Sequence, residues 1–142
     1  MEKSMQWKTM LMLASAGIVA IMGSVHLLYT FHGPKMLPRD PELIDSMKAV
    51  TLVITEETTV WKAWLGFNAS HSMAAILFGL IYGYLALAHP AVLYGSGYLQ
   101  IVGFLMLTGL LILAWRYWFS VPFAGIALAL ICYAGSLIAA RA

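Results

Sequence analysis

Apolar residues dominate the chain in four long runs, and the polar positions between them set the boundaries. Residues 9 to 34 carry no formal charge, and Thr9 to Phe31 is long enough to cross a hydrocarbon core of about 30 Å at 1.5 Å per residue. A secretory signal peptide is the competing reading, because Lys3 and Lys8 precede the run. Its length and the further apolar and aromatic residues after Gly23-Ser24-Val25-His26 argue against that. Residues 63 to 115 are also charge-free, far too long for one crossing. His89-Pro90 and Gly95-Ser96-Gly97 supply the break, predicting spans near 60–87 and 98–116 joined by a short turn. A last run, about 121–140, lies between Arg116 and Arg141, with Ser120 as a cap and Pro122 in the first helical turn. None of these runs alternates as barrel strands do, so the pattern predicts helices. The expected fold class is all-α: a polytopic, antiparallel four-transmembrane-helix bundle forming a single membrane domain over 1–142.

The longest polar stretch, His32 to Thr59, starts with Gly33, Pro34, Pro38 and Pro41. Asp40 is placed to cap a helix opening on Pro41 and Glu42. Leu43, Ile44, Met47, Val50, Thr51 and Ile54 then share one face, with Glu42, Asp45 and Lys48 on the other. This predicts an interfacial amphipathic helix over about 41–54. Small residues mark close-packing stripes: Ala16, Ala20 and Gly23; Ala75, Gly79 and Gly83; Gly103; Gly125, Ala129 and Cys132.

Composition sharpens this picture. Of 142 residues, 62% are hydrophobic and 10% are charged, far from the quarter or so charged residues of a soluble domain, so lipid is the expected solvent. A net charge of +2 offers no concentrated basic surface, which excludes nucleic acid as a partner. The single cysteine, Cys132, allows no intrachain disulfide. Basic residues on the long-loop side (Lys35, Arg39, Lys48, Lys62, Arg116) outnumber those near the termini (Lys3, Lys8, Arg141). Because Lys62 and Arg116 are also candidate site residues, the count assigns no sidedness.

Polar residues inside the spans are the candidate chemistry. Trp61, Trp64, Asn68, His71, Ser72, Ala75 and Gly79 recur at three- and four-residue spacing along one helical stripe. An ionisable residue at membrane depth is costly without a partner and marks a candidate site, which singles out His71 and His26. Four-span topology brings His26, His32, Glu56, Glu57, Lys62, Trp64, Arg116, Tyr117 and Trp118 to the long-loop end, leaving His89 nearly alone at the other. The expected ligand-binding set is His26, Trp64, Asn68, His71, Ser72, Arg116, Lys62 and Glu57. In it the histidines exchange protons with or hydrogen-bond a polar head, Asn68 orients it, Trp64 stacks on it, and Arg116 with Lys62 holds any anionic group.

Ordinary structural roles compete at each position. Glu56 and Glu57 suit the first turn of the second span, aromatic residues at span ends act as interfacial anchors, Arg116 snorkels to phosphates, and Asn68 serves as interhelical glue.

The run Trp61-Lys62-Ala63-Trp64-Leu65-Gly66-Phe67-Asn68-Ala69-Ser70-His71-Ser72, with Val25-His26-Leu27 and Arg116-Tyr117-Trp118-Phe119, resembles a group of small uncharacterised bacterial four-helix integral membrane proteins. The resemblance covers most of the chain. It implies a bacterial multi-pass protein, expected in the inner membrane, and carries no activity with it.

Three functions are weighed. The first is binding of, and action on, a lipid-like or hydrophobic small molecule in a polar pocket at the long-loop end; no hydrolytic nucleophile motif or phosphate loop accompanies it. The second is a structural or accessory subunit of a larger membrane complex or a homo-oligomer, with membrane lipid around it. The third is a haem or metal protein through His26 and His71, with His32, Met22 or Met73 as further ligands. An expected depth offset of about 5–15 Å between the two histidines and the absence of HxxxH, CxxCH and HExxH patterns weigh against it.

Overall fold

The computed structural model describes residues 2–141, with side chains from residue 6 onward. It is mostly helical, in the order α1 (Glu2–Phe31), α2 (Pro41–Ala49), β1 (Thr51–Leu52), β2 (Thr55–Thr59), α3 (Val60–Ala88), α4 (Pro90–Gly95), α5 (Gly97–Tyr117) and α6 (Ser120–Ala139). Four helices are long and apolar enough to cross a membrane: Gln6–Phe31, Val60–Ala88, Gly97–Tyr117 and Ser120–Ala139. The chain is an integral multi-pass membrane protein by that measure, and the span boundaries fall within a few residues of those set by charge-free runs. Gly33, at φ 82°, takes the left-handed conformation just past the end of α1, where a side chain would be strained.

The chain divides into two compact units, Gly23–Ala74 and the remainder. In the unit Gly23–Ala74, α2 begins as its sequence dictates: Asp40 accepts a hydrogen bond from the Glu42 N–H at 3.0 Å, and proline occupies the first turn. The helix ends at Ala49, not near residue 54. Val50-Thr51-Leu52-Val53-Ile54-Thr55 is rich in β-branched residues, whose stiff side chains favour extended backbone, and it turns into an antiparallel hairpin with Thr51 opposite Thr59 and Leu52 opposite Thr55. The Val60 N–H extends that pairing to the Val50 carbonyl at 2.9 Å. Glu56 and Glu57 therefore lie on β2 and not in the first turn of the second span, which starts only at Val60.

The other unit comprises the chain up to Met22 and from Ala75 onward. Its core holds Met12, Val19, Leu93, Leu107 and Tyr133, all fully buried or nearly so. Gly79 sits so close to α1 that a Cβ there would come within 2.6 Å of the Ala20 Cβ, which is the close approach that the small-residue stripes predict. Gly103 makes room in the same way for the rings of Tyr82 and Tyr133. The expected short turn at His89 to Gly97 contains a helical turn, α4, with Pro90 in its first position. The cap before α6 is Phe119, with Ser120 as the first helical residue.

Four hydroxyls in this unit end on backbone carbonyls, whereas the buried Ser15 Oγ and Thr108 Oγ1 have no hydrogen-bond partner among the described residues. The Tyr82 hydroxyl donates to Leu99 O at 2.7 Å and the Tyr133 hydroxyl to Gln100 O at 3.0 Å. Ser136 Oγ and the Tyr94 hydroxyl both donate to Lys8 O, at 2.7 and 3.0 Å, and lie 2.9 Å from each other. These bonds join α1, α4 and α6 and satisfy hydroxyls that would otherwise be stranded in an apolar surrounding.

Candidate functional site

The unit Gly23–Ala74 gathers three of the expected residues into one cluster. His26, on the last stretch of α1, places its Nε2 3.1 Å from the Asn68 Oδ1 on α3. The His71 ring, one helical turn further along α3, meets the His26 ring edge-on with centroids 5.6 Å apart. Asn68 is itself anchored, because its Nδ2 donates to the Trp64 carbonyl at 2.8 Å. All three side chains are half-buried. The expected gap in depth between the two histidines thus closes to ring contact, although His26 lies near the end of α1 at Phe31 and His71 about three turns in from the start of α3 at Val60.

Ser72 is fully buried and its hydroxyl donates back to the Asn68 carbonyl at 2.8 Å. That bond fixes a turn of α3 and leaves the hydroxyl engaged with its own helix. The Trp64 ring stacks on Trp61 at 5.2 Å and 20°, with the Lys48 ammonium 5.8 Å from the Trp61 ring. Lys62 and Glu57 are exposed, on the first turn of α3 and on β2, and no hydrogen bond or ion pair of the described residues joins either side chain to the histidines. Arg116 is exposed in the last turn of α5 and belongs to the other unit. Of the eight expected residues, the structure brings His26, Asn68 and His71 together through their side chains, with Trp64 and Ser72 attached through Asn68's backbone and amide bonds.

Two aromatic rings outside the expected ligand-binding set join this stretch of α3. Phe67 lies parallel to His71, at 6.3 Å and 10°, and Trp61 completes the tryptophan stack. Their signals were the i, i+4 spacing of Phe67 with His71 and the i, i+3 spacing of Trp61 with Trp64, both of which place rings side by side on one helix.

Among the described residues, no group of three His, Cys, Asp or Glu side chains comes together to hold a metal ion. Haem does not fit the pair either: axial ligation needs imidazole nitrogens facing each other across a porphyrin plane, whereas these rings meet edge to face and the His26 Nε2 is taken up by Asn68. A separate groove of about 240 Å³, lined by Gln100, Phe104, Leu137 and Arg141 among others, lies in the other unit and includes none of the expected site residues.

No family model, curated protein or solved structure matches this chain.

Proposed function

We propose that this protein, as a four-span antiparallel bundle of the bacterial inner membrane with α2 lying at the interface, binds an amphiphilic small molecule by its polar head. The head meets His26, Asn68 and His71 while the apolar remainder stays in lipid. The observation that carries this is the hydrogen bond of His26 to Asn68 beside His71, on apolar, membrane-length helices, with all three side chains half-buried. Structural polar groups in lipid are normally sealed, as Ser72 is, because an open one forfeits hydrogen bonds. The partly exposed His26 imidazole gains by binding a guest, and a neutral imidazole can pass a proton to or from it.

Purification in mild detergent, followed by mass spectrometry of co-purifying small molecules, tests the proposal. A stoichiometric amphiphile retained by the wild type and lost from His71→Ala and Asn68→Ala, with helicity unchanged, supports it. Retention by both variants contradicts the assignment, and an absorption band of haem in the same preparation contradicts the choice of ligand class.

An accessory role in a homo-oligomer or a larger membrane complex is the second reading. One observation favours it: Val53 and Ile54, at the tip of the β1–β2 hairpin, are almost wholly exposed, at 111% and 89%. Apolar tips of this kind serve as contact points for a partner.

A further inference from the structure

The hydrogen bonds around Asn68 determine which protons the site offers. The Asn68 amide has one oxygen and one nitrogen, and the nitrogen is committed to the Trp64 carbonyl at 2.8 Å. A flipped amide would set two oxygens against each other, so Oδ1 is the atom facing His26. An amide oxygen only accepts. The His26 Nε2 therefore carries the hydrogen in this 3.1 Å bond. A neutral imidazole has one N–H, so the remaining ring nitrogen, Nδ1, is left with its lone pair.

Building on the proposed function, we infer that Asn68 locks His26 as the Nε2–H tautomer and that the site therefore selects amphiphiles with a hydroxyl donor in the head, such as a phenol or a long-chain alcohol. The hydroxyl donates to Nδ1. A ketone, an ester or an ether of the same size offers only acceptors and leaves that lone pair unmatched, which is the condition under which hydrogen-bonding sites discriminate most strongly. The Phe67 ring, parallel to the His71 ring that meets His26, gives a phenolic head a flat neighbour.

Long-range proton–nitrogen correlation spectra of the histidine-labelled full-length protein in lipid nanodiscs test both parts. The His26 signals are assigned by comparison with the His32→Gln, His71→Gln and His89→Gln variants. The expected result is a predominantly Nε2–H ring for His26, with an Nδ1 resonance that moves when 4-nonylphenol is added and does not move with its methyl ether. Tryptophan fluorescence should report binding of the phenol about tenfold tighter than the ether, the scale of one neutral hydrogen bond. A predominantly Nδ1–H ring overturns the inference before any ligand is added. Equal affinity for phenol and ether overturns the head-group selection and leaves the binding site standing. Failure of both probes to bind, with the spectrum of a folded protein, overturns the site itself.

Discussion

In the unit built from residues up to Met22 and from Ala75 onward, the hydroxyls of Tyr82, Tyr94, Tyr133 and Ser136 all end on backbone carbonyls. In the unit Gly23–Ala74, His26 ends on another side chain, Asn68, and both stay only half-buried beside His71. The contrast separates two uses of polarity in a lipid setting. A hydroxyl on a carbonyl ties helices together and is finished once it is buried. A histidine paired sideways and left open keeps unused hydrogen-bonding capacity, and that spare capacity is what a ligand can take up. Substitutions in the first unit should therefore cost stability, and substitutions in the second should cost binding.

The largest effect is expected at Tyr133, whose ring is fully buried against Tyr82 at 5.7 Å. Tyr133→Ala removes that packing and a hydrogen bond to α5, and should destabilise the protein by about 3 kcal/mol or more in thermal unfolding. Gly79→Leu comes next, because even a Cβ at this position meets the Ala20 side chain; overpacking should cost about 1–3 kcal/mol and force α1 and α3 apart. Either variant unfolding no more easily than the wild type would break the assignment of this unit as the stabilising one.

Tyr94→Phe is milder, losing the hydroxyl's hydrogen bond to Lys8 O for about 1 kcal/mol. It also carries a pH signature. Burial raises the Tyr94 phenol above its usual value of about 10, against the opposing hydrogen bond from Ser136. The folded state then holds that proton more tightly than the unfolded chain does. This contribution is complete below about pH 10 and is lost as the pH rises from there through the raised folded value. Alkaline unfolding curves should show that loss in the wild type and a smaller one in Tyr94→Phe; identical curves would contradict it.

The smallest stability effect is expected at Asn68. Asn68→Leu replaces a half-buried amide by an apolar group of similar size in a span, and thermal unfolding should move by less than about 1 kcal/mol while ligand retention disappears. A large loss of stability would place Asn68 with the structural hydroxyls and remove the distinction between the two units.

The spans were legible in the sequence because lipid imposes a simple rule: twenty or more residues without charge, bounded by Pro, Gly or a basic residue. The Asp40–Pro41 helix start was legible for an equally local reason. The hairpin was not. Leu43, Ile44, Met47, Val50, Thr51 and Ile54 keep helical spacing, yet from Val50 onward the run is rich in β-branched residues, and pairing of Thr51 with Thr59 decided the matter through a contact that periodicity does not contain. The stripe that picked out Asn68 and His71 was visible in their spacing. Their meeting with His26 was not, because it depends on how far each helix runs before the chain turns back, and the depth estimate exaggerated the separation. Lys62 and Glu57 were grouped with them by topology alone, and shared topology does not supply contact.

Native mass spectrometry of three proteins prepared in parallel, wild type, Asn68→Leu and Tyr94→Phe, tests the central claim most directly. A single amphiphile adduct on the wild type and on Tyr94→Phe, absent from Asn68→Leu at equal helicity, is the predicted result. An adduct retained equally by all three, or a wild type that carries none, would contradict the account.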